Sequence, residues 1–365
     1  MNNKLSKNSF FPLCVSVLLG GSLAAAGGVM QGEKIGYITV FASFLLYIPL
    51  LFLYFGIFKR GGSTDIFKAS ENILGKTAYK IFLAVSSVYC FFTALVSSRE
   101  FFAFASLSSN LAVSPVVISL TFSACIYFIM LCGKQAVSGY TMIMLPFVML
   151  LLGVTMLFGI PKFDTANLNI ENIPDFGYIG ESVFLNFVSP FSNIFIVYLL
   201  MQGTDKKSIK RKSVTAGLFT LFVIALVYVW NLLIIGKNLM NSLYFPSLYT
   251  LGAVNPNLFT ERSEAVFLIT YIFFYIVFVS ASYLAAFSCI FRLFGKKNTP
   301  DLKIKGIVYL IPLALTFAAM TVNINAQKLH ASFLTVTAVS ACITVGIPII
   351  LFLVSCIKNN RSPAR

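Results

Sequence analysis

Apolar stretches recur along this chain at close to the roughly 20 residues that carry a helix across a lipid bilayer, and short polar connections separate them. Ten are legible: Phe10 to Met30, Tyr37 to Phe58, Ile81 to Ser98, Val116 to Cys132, Thr141 to Ile160, Ser182 to Gln202, Val214 to Gly236, Val266 to Phe294, Gly306 to Val322 and Ser332 to Ile357. The third has an open end, because the apolar run continues past Arg99 and Glu100 to Leu111. Runs of this length and number predict an all-α polytopic membrane protein with ten transmembrane helices, forming a single integral membrane domain over residues 1–365.

Composition agrees with that reading. Hydrophobic residues make up 58% of the chain, charged ones only 11%, and the mean hydropathy is +0.88, which leaves too little polar surface to clothe a water-soluble globule. The net charge of +15 changes the picture only when it is mapped. If both termini share one side, that side holds every Lys and Arg except Lys34, Arg99, Lys162, Lys237, Arg262 and Lys328, while eight of the twelve acids fall opposite. Positive charge gathers on the cytoplasmic side of membrane proteins, so both termini are expected there. The basic excess is topological, and no nucleic-acid partner is implied. The densest run, "DKKSIKRK" at residues 205–212, reads first as a positive-inside loop and second as a surface for anionic lipid headgroups.

Candidate chemistry is sparse. All seven cysteines fall within or at the ends of apolar spans and none forms a Cys-x-x-Cys pair, so neither a disulfide framework nor a metal site is expected. His330 has no second histidine to join it. No phosphate loop and no nucleophile–base constellation appears, and the chain is not expected to be an enzyme or to carry a cofactor. Lys4, Lys7 and the apolar run ending in "SLAAAGG" resemble a cleavable signal peptide, but the break described next favours a retained span.

Ten spans divide into two sets of five, residues 10–160 and 182–357, and the first member of each set carries helix breakers. Span one has Gly20, Gly21 and Ser22, then Gly27 and Gly28; span six has "NFVSPFSN", with Ser189 and Pro190 near its middle. Breakers at matching places in two halves point to an inverted repeat with broken helices 1 and 6 and a ligand site between them, since proline removes a backbone donor and glycine tolerates open backbone. The alternative is an ordinary kink packed against small neighbours.

At these residues the chain resembles a known family. "FPSLYTLGAVNPNLFTERSEAVFL", residues 245–268, looks like the outer loop and following span of the permease-like B subunits of endospore germinant receptors, in which a Pro-Ser or Pro-Thr element precedes Glu-Arg-x-Glu. "LLGGSLA" in span one, Arg99, "GKQAVSGYTMIMLPF" where span five begins and the basic run after span six match as well. The resemblance implies a LeuT-like five-plus-five fold of the amino acid, polyamine and organocation transporter kind. It also implies a nutrient-sensing role in the spore inner membrane, beside a larger membrane A subunit and a lipoprotein C subunit. Three departures are Ser22 for a second glycine, Gly139 for an arginine, and Asn193 with Phe195 where many relatives have Gly-x-Glu; the last removes an acid on which ion coupling would draw.

A ligand pocket is therefore expected between the breaks. Gly20, Gly21, Ser22, Pro190, Phe191 and Ser192 would line it, with Tyr89 and Tyr275 on its flanks, and the aromatic wall suits a neutral amino acid of modest size. The charges at the mouth of span eight admit two readings. Thr260 with Glu261 and Glu264 makes a helix start, where carboxylates are favoured by about 0.3–1 kcal/mol each. Alternatively Arg262 pairs with acids across an outer gate or subunit contact that includes Arg99 and Glu100, with Arg99 to Glu261 or Glu264 the preferred pairing. Two functions follow: a nutrient-sensing receptor subunit, or an ion-coupled secondary transporter of amino acids or related solutes.

Overall fold

The computed structural model describes residues 7–23, 36–108, 114–168, 176–201, 206–243, 245–254, 263–295, 302–321 and 336–360. Among these, the regular elements are all helical. They are α1 (Phe10–Leu23), α2 (Gly36–Arg60), α3 (Ile66–Ser108), α4 (Pro115–Cys132), α5 (Lys134–Gly159), α6 (Phe176–Val188), α7 (Ile194–Leu200), α8 (Lys206–Ser242), α9 (Pro246–Ala253), α10 (Ser263–Leu293), α11 (Leu302–Val308), α12 (Leu310–Thr321) and α13 (Gly346–Asn360), the last preceded by helical residues 336–344. Eight helical stretches are long and apolar enough to cross a membrane, and two more, Phe10–Leu23 and Val116–Cys132, are apolar but shorter.

Burial ranks these helices. The stretches Ile179–Leu200 and Ile269–Leu293 are 89% buried within the protein, against 22% for Ile304–Thr321 and 33% for Lys134–Lys162, so α6, α7 and α10 form the centre and α5, α11 and α12 the periphery. Sequence accounts for the difference. Small residues of α10, among them Ser280, Ala281, Ser282, Ala285 and Ala286, are wholly enclosed and let neighbouring backbones approach closely. On α5 and α11, by contrast, Ile143 and Ile307 are more than two-thirds exposed, as suits side chains solvated by lipid.

The longest interface joins α3 to α10, which run antiparallel with aromatic rings meeting at several heights: Phe91 with Tyr283 at 5.5 Å, Phe101 with Tyr275 at 5.6 Å, and Phe104 stacked on Tyr271 at 4.0 Å. Around this pair α1 packs on α8 and α10, α2 on α6 and α8, α7 on α10 and α3, and α12 on α4.

Several boundaries differ from the sequence reading. The third element begins at Ile66, not Ile81, so most of the basic stretch expected to be loop is helical, and α3 is two helical segments joined by a kink at Gly75, whose φ of 77° and ψ of 175° are not helical. The first span shows no interruption at Gly20–Ser22. These residues stay α-helical to Leu23, because glycine and serine keep their backbone donors, and the Ser22 hydroxyl bonds back to the Leu19 carbonyl at 2.7 Å; Gly27 and Gly28 lie outside the described residues. The ninth span is divided into α11 and α12 at Tyr309, and α9 is a short helix inside the quoted outer segment.

The long α8 bends at Gly236, whose φ of 71° and ψ of 165° belong to a region essentially reserved for glycine. A Cβ there would stand 2.9 Å from Asn167 Oδ1. Gly236→Ala is expected to cost about 2 kcal/mol, read as a lower melting temperature in detergent, whereas Gly252→Ala, with nothing within 4 Å of its added Cβ, leaves it unchanged.

Candidate functional site

The interruption at Ser189–Pro190 is built from local chemistry. Proline has no N–H to give and its ring collides with the carbonyl four residues back, so α6 stops at Val188 and the chain passes through a single 3-10 turn, Phe191–Asn193, before α7 begins. Two side chains then take over bonds the backbone has lost. The Ser192 hydroxyl donates to the Val188 carbonyl and the Asn193 amide to the Ser189 carbonyl. All of residues 185–201 are buried, which makes this substitution necessary, because an unpaired backbone group away from water costs about as much as a lost hydrogen bond.

The break rests on α1. Ser189 Oγ donates to the Gly21 carbonyl at 2.9 Å, and a Cβ on Gly21 would run into the Asn193 amide and stand 2.8 Å from the Ser189 carbonyl. Gly20 faces the other way, where a Cβ would meet Phe278 Cβ at 2.7 Å and the Phe274 carbonyl at 2.9 Å. Consecutive glycines thus let α1 lie against the break on one side and against α10 on the other. From α3, the Tyr89 hydroxyl reaches Asn193 Oδ1 at 3.4 Å, and its ring lies 6.0 Å from Phe195. Phe191 turns toward α2, where Tyr47 and Phe44 stand 5.2 and 5.8 Å away. Tyr275 of α10 donates to the Leu23 carbonyl at 2.9 Å, at the end of α1.

Of the eight expected ligand-pocket residues, then, Gly21, Ser192, Tyr89 and Pro190 belong to one packed junction with Asn193 and Ser189. Gly20 and Tyr275 sit on the α1–α10 seam, Phe191 sits against α2, and Ser22 lines a cavity. That cavity, of about 60 Å³, opens beside the Leu23 end of α1, between α5, α8, α9 and α10. Its walls are mainly apolar, with Leu23, Val223, Ile224 and Phe274, and its polar groups are hydroxyls from Ser22, Ser247, Thr270 and Tyr271. Asn231 of α8 donates to Ser247 Oγ at 2.9 Å, which fixes that hydroxyl at the α9 wall. Sequence reasoning named Ser189 as a breaker and Asn193 as a departure from the family pattern but placed neither in the pocket, and it passed over Ser247 and Tyr271. The first pair carried a signal, since Ser189 and Asn193 are four apart and flank a proline; the second pair meets only through the fold.

Among the expected gate residues, Arg99 and Glu100 lie inside α3, and Glu100 is only 3% exposed. Glu261 and Arg262 lie outside the described residues; the backbone of Glu264 belongs to the first turn of α10 but its side chain lies outside them.

Eight membrane-length helical stretches among the described residues, one of them buried and broken, define a polytopic α-helical membrane protein. Within that class the chain belongs to the spore germination protein family of spore permeases, whose model matches residues 4–329 and leaves α13 beyond the match. No curated protein gives a significant match.

Proposed function

We propose that this chain is the nutrient-sensing subunit of a spore germination receptor, binding a small neutral molecule, most simply an amino acid, where α1 meets the broken helix α6–α7. The observation that carries the reading is the junction of Gly21, Ser189, Asn193 and Tyr89: three helices meet at a point where backbone groups have been released from the helix ladder and are held by side chains that a ligand can replace. The neighbouring cavity is the approach to it, and its apolar walls with scattered hydroxyls favour a ligand with an apolar side chain.

The packing supports a five-plus-five inverted repeat of ten spans. Exchange α1 for α6–α7, α2 for α8, α3 for α10 and α4 for α12. The packing of α1 on α8 then becomes that of α6 on α2, α1 on α10 becomes α7 on α3, and the α3–α10 and α4–α12 pairs map onto themselves. In such a fold the first helix of each half, here α1 and the broken α6–α7, forms the binding element. With both termini cytoplasmic, the cavity faces the outer side of the spore inner membrane, where a nutrient arrives. A larger membrane subunit and a lipoprotein are the proposed partners, and the segment from Glu261 to Glu264, with Arg99 and Glu100, is the proposed outer gate or contact with them.

Two measurements made together test the sensing role. Spores lacking the protein are expected to lose a nutrient response, and proteoliposomes holding the purified protein are expected to accumulate no radiolabelled amino acid above control; concentrative, ion-driven uptake would establish a transporter instead. Within the site, Tyr89→Phe removes the hydroxyl that reaches Asn193 and keeps the ring on Phe195. A hydrogen bond of about 1 kcal/mol corresponds to about fivefold in affinity, so the nutrient dose response is expected to shift by about that factor at normal protein level, in whichever direction the free or the bound state uses the bond. An unshifted curve would remove Tyr89 from the site.

A further inference from the structure

A second cavity, of about 120 Å³, lies between the end of α2 and the start of α8, walled by Phe55, Phe58, Lys59, Thr64, Ile209 and Lys210. Among the described residues that line it there is no carboxylate to pair with its two cations. Among the described residues neither Lys59 nor Lys210 forms an ion pair, and the Lys210 ammonium instead lies 5.8 Å from the ring centroids of both Phe52 and Phe55, near the outer limit of a cation–π contact. Such a contact holds the lysine over the cavity without neutralising it.

Depth identifies what these cations meet. Lys59 and Lys210 stand at the ends of the membrane-length stretches Ile38–Arg60 and Ser208–Met240, the level at which lysine stems lie in hydrocarbon and their heads reach the lipid headgroups. From Lys59 an apolar track leads toward the middle of the membrane. Phe52, Leu45 and Ile38 follow at seven-residue intervals, which keeps them on one face of α2, and they are 60%, 53% and 46% exposed.

We propose that this cavity binds an anionic phospholipid, its phosphate held between Lys59 and Lys210 and one acyl chain laid along Phe52 and Leu45. A dissolved phosphate ester would satisfy the two ammonium groups but would gain nothing from the track. A zwitterionic lipid would use the track but would bring its own cation to a site that already holds two. The anionic lipid alone uses both halves.

The test uses the full-length protein purified in detergent and equilibrated with phosphatidylglycerol or phosphatidylcholine, with retained lipid counted by native mass spectrometry. Two cations at headgroup level correspond to about a thirtyfold preference for the anionic lipid. Lys59→Gln with Lys210→Gln is expected to bring the preference close to parity, while melting in phosphatidylcholine stays as in the wild type. Lys59→Arg with Lys210→Arg is expected to keep it, as is Lys68→Gln with Lys76→Gln, which removes two exposed lysines from the start of α3. Leu45→Ser with Phe52→Ser is expected to weaken retention although both cations remain. An undiminished preference in the Lys59→Gln, Lys210→Gln protein would overturn the proposal. So would displacement of the lipid by millimolar glycerol phosphate, which would make the site one for soluble phosphate esters.

Discussion

Gly21→Val is expected to lower the melting temperature of the purified protein sharply and to abolish the nutrient response of spores that carry it. The added Cβ would occupy the place of the Asn193 amide and press to 2.8 Å on the Ser189 carbonyl. The amide is the end of a side chain and can swing away, at the cost of its bond to Ser189 and its contact with Tyr89. The carbonyl is backbone in a fully buried turn and has nowhere to go. Overpacking at such a point costs about 3 kcal/mol, a large share of the 5–15 kcal/mol typical of folded domains. Two companions separate these contributions. Gly21→Ala with Asn193→Ala removes the amide conflict and is expected to recover part of the loss, and Gly153→Ala, whose new methyl group meets nothing within 4 Å, is expected to melt as the wild type does. If Gly21→Val melts with the wild type, α1 and the break do not touch as described.

Arg292→Ala is expected to be the most damaging change at the opposite end of the bundle. Its guanidinium lies 3.5 Å from the Asp65 carboxylate and 4.1 Å over the ring of Phe67, tying the end of α10 to the start of α3. Asp65 is itself committed, because its other carboxylate oxygen accepts the Phe67 N–H at 3.0 Å and so caps α3. Removing the arginine leaves a buried carboxylate without its counter-charge. A fully enclosed pair broken in this way costs about 3–5 kcal/mol; here the guanidinium keeps some contact with solvent, so about 2 kcal/mol is expected. Asp65→Asn alone preserves the cap and loses the charge, and adding it to Arg292→Ala is expected to restore part of the stability. The measurement is detergent melting of the four proteins as a double-mutant cycle; strict additivity would show that the two side chains do not interact.

Much of the fold was legible because lipid makes hydropathy nearly sufficient: a stretch such as Gly36–Arg60 differs by only a few residues from the apolar run that predicts it. Charge was a poorer guide to ends. Lys68, Lys76 and Lys80 suggested a loop, yet they lie on the two helical segments of α3 that meet at Gly75, since a helix turn outside the hydrocarbon tolerates lysine as well as a loop does. The break at Pro190 was legible because proline has one physical meaning inside a helix. Gly20 and Gly21 were misread as a break for the opposite reason: glycine serves both open backbone and close packing, and only the neighbour that arrives, Phe278 on one side and Asn193 on the other, decides between them. Asp65 and Arg292 are 227 residues apart, and neither belongs to a recognisable motif. No local pattern could have joined them.

The ring contacts between α3 and α10 bear on how a signal could cross the bilayer at all. Phe91 and Phe104 are thirteen residues apart, about 20 Å along a helix, and each is engaged with a partner on the antiparallel rod. Two rods pinned at both heights cannot shear past one another without parting these ring contacts together. If the chain senses a nutrient as proposed, a nudge at the Tyr271 end would reach the Tyr283 end as displacement rather than be absorbed as bending, and the pair would serve as a push-rod through the membrane.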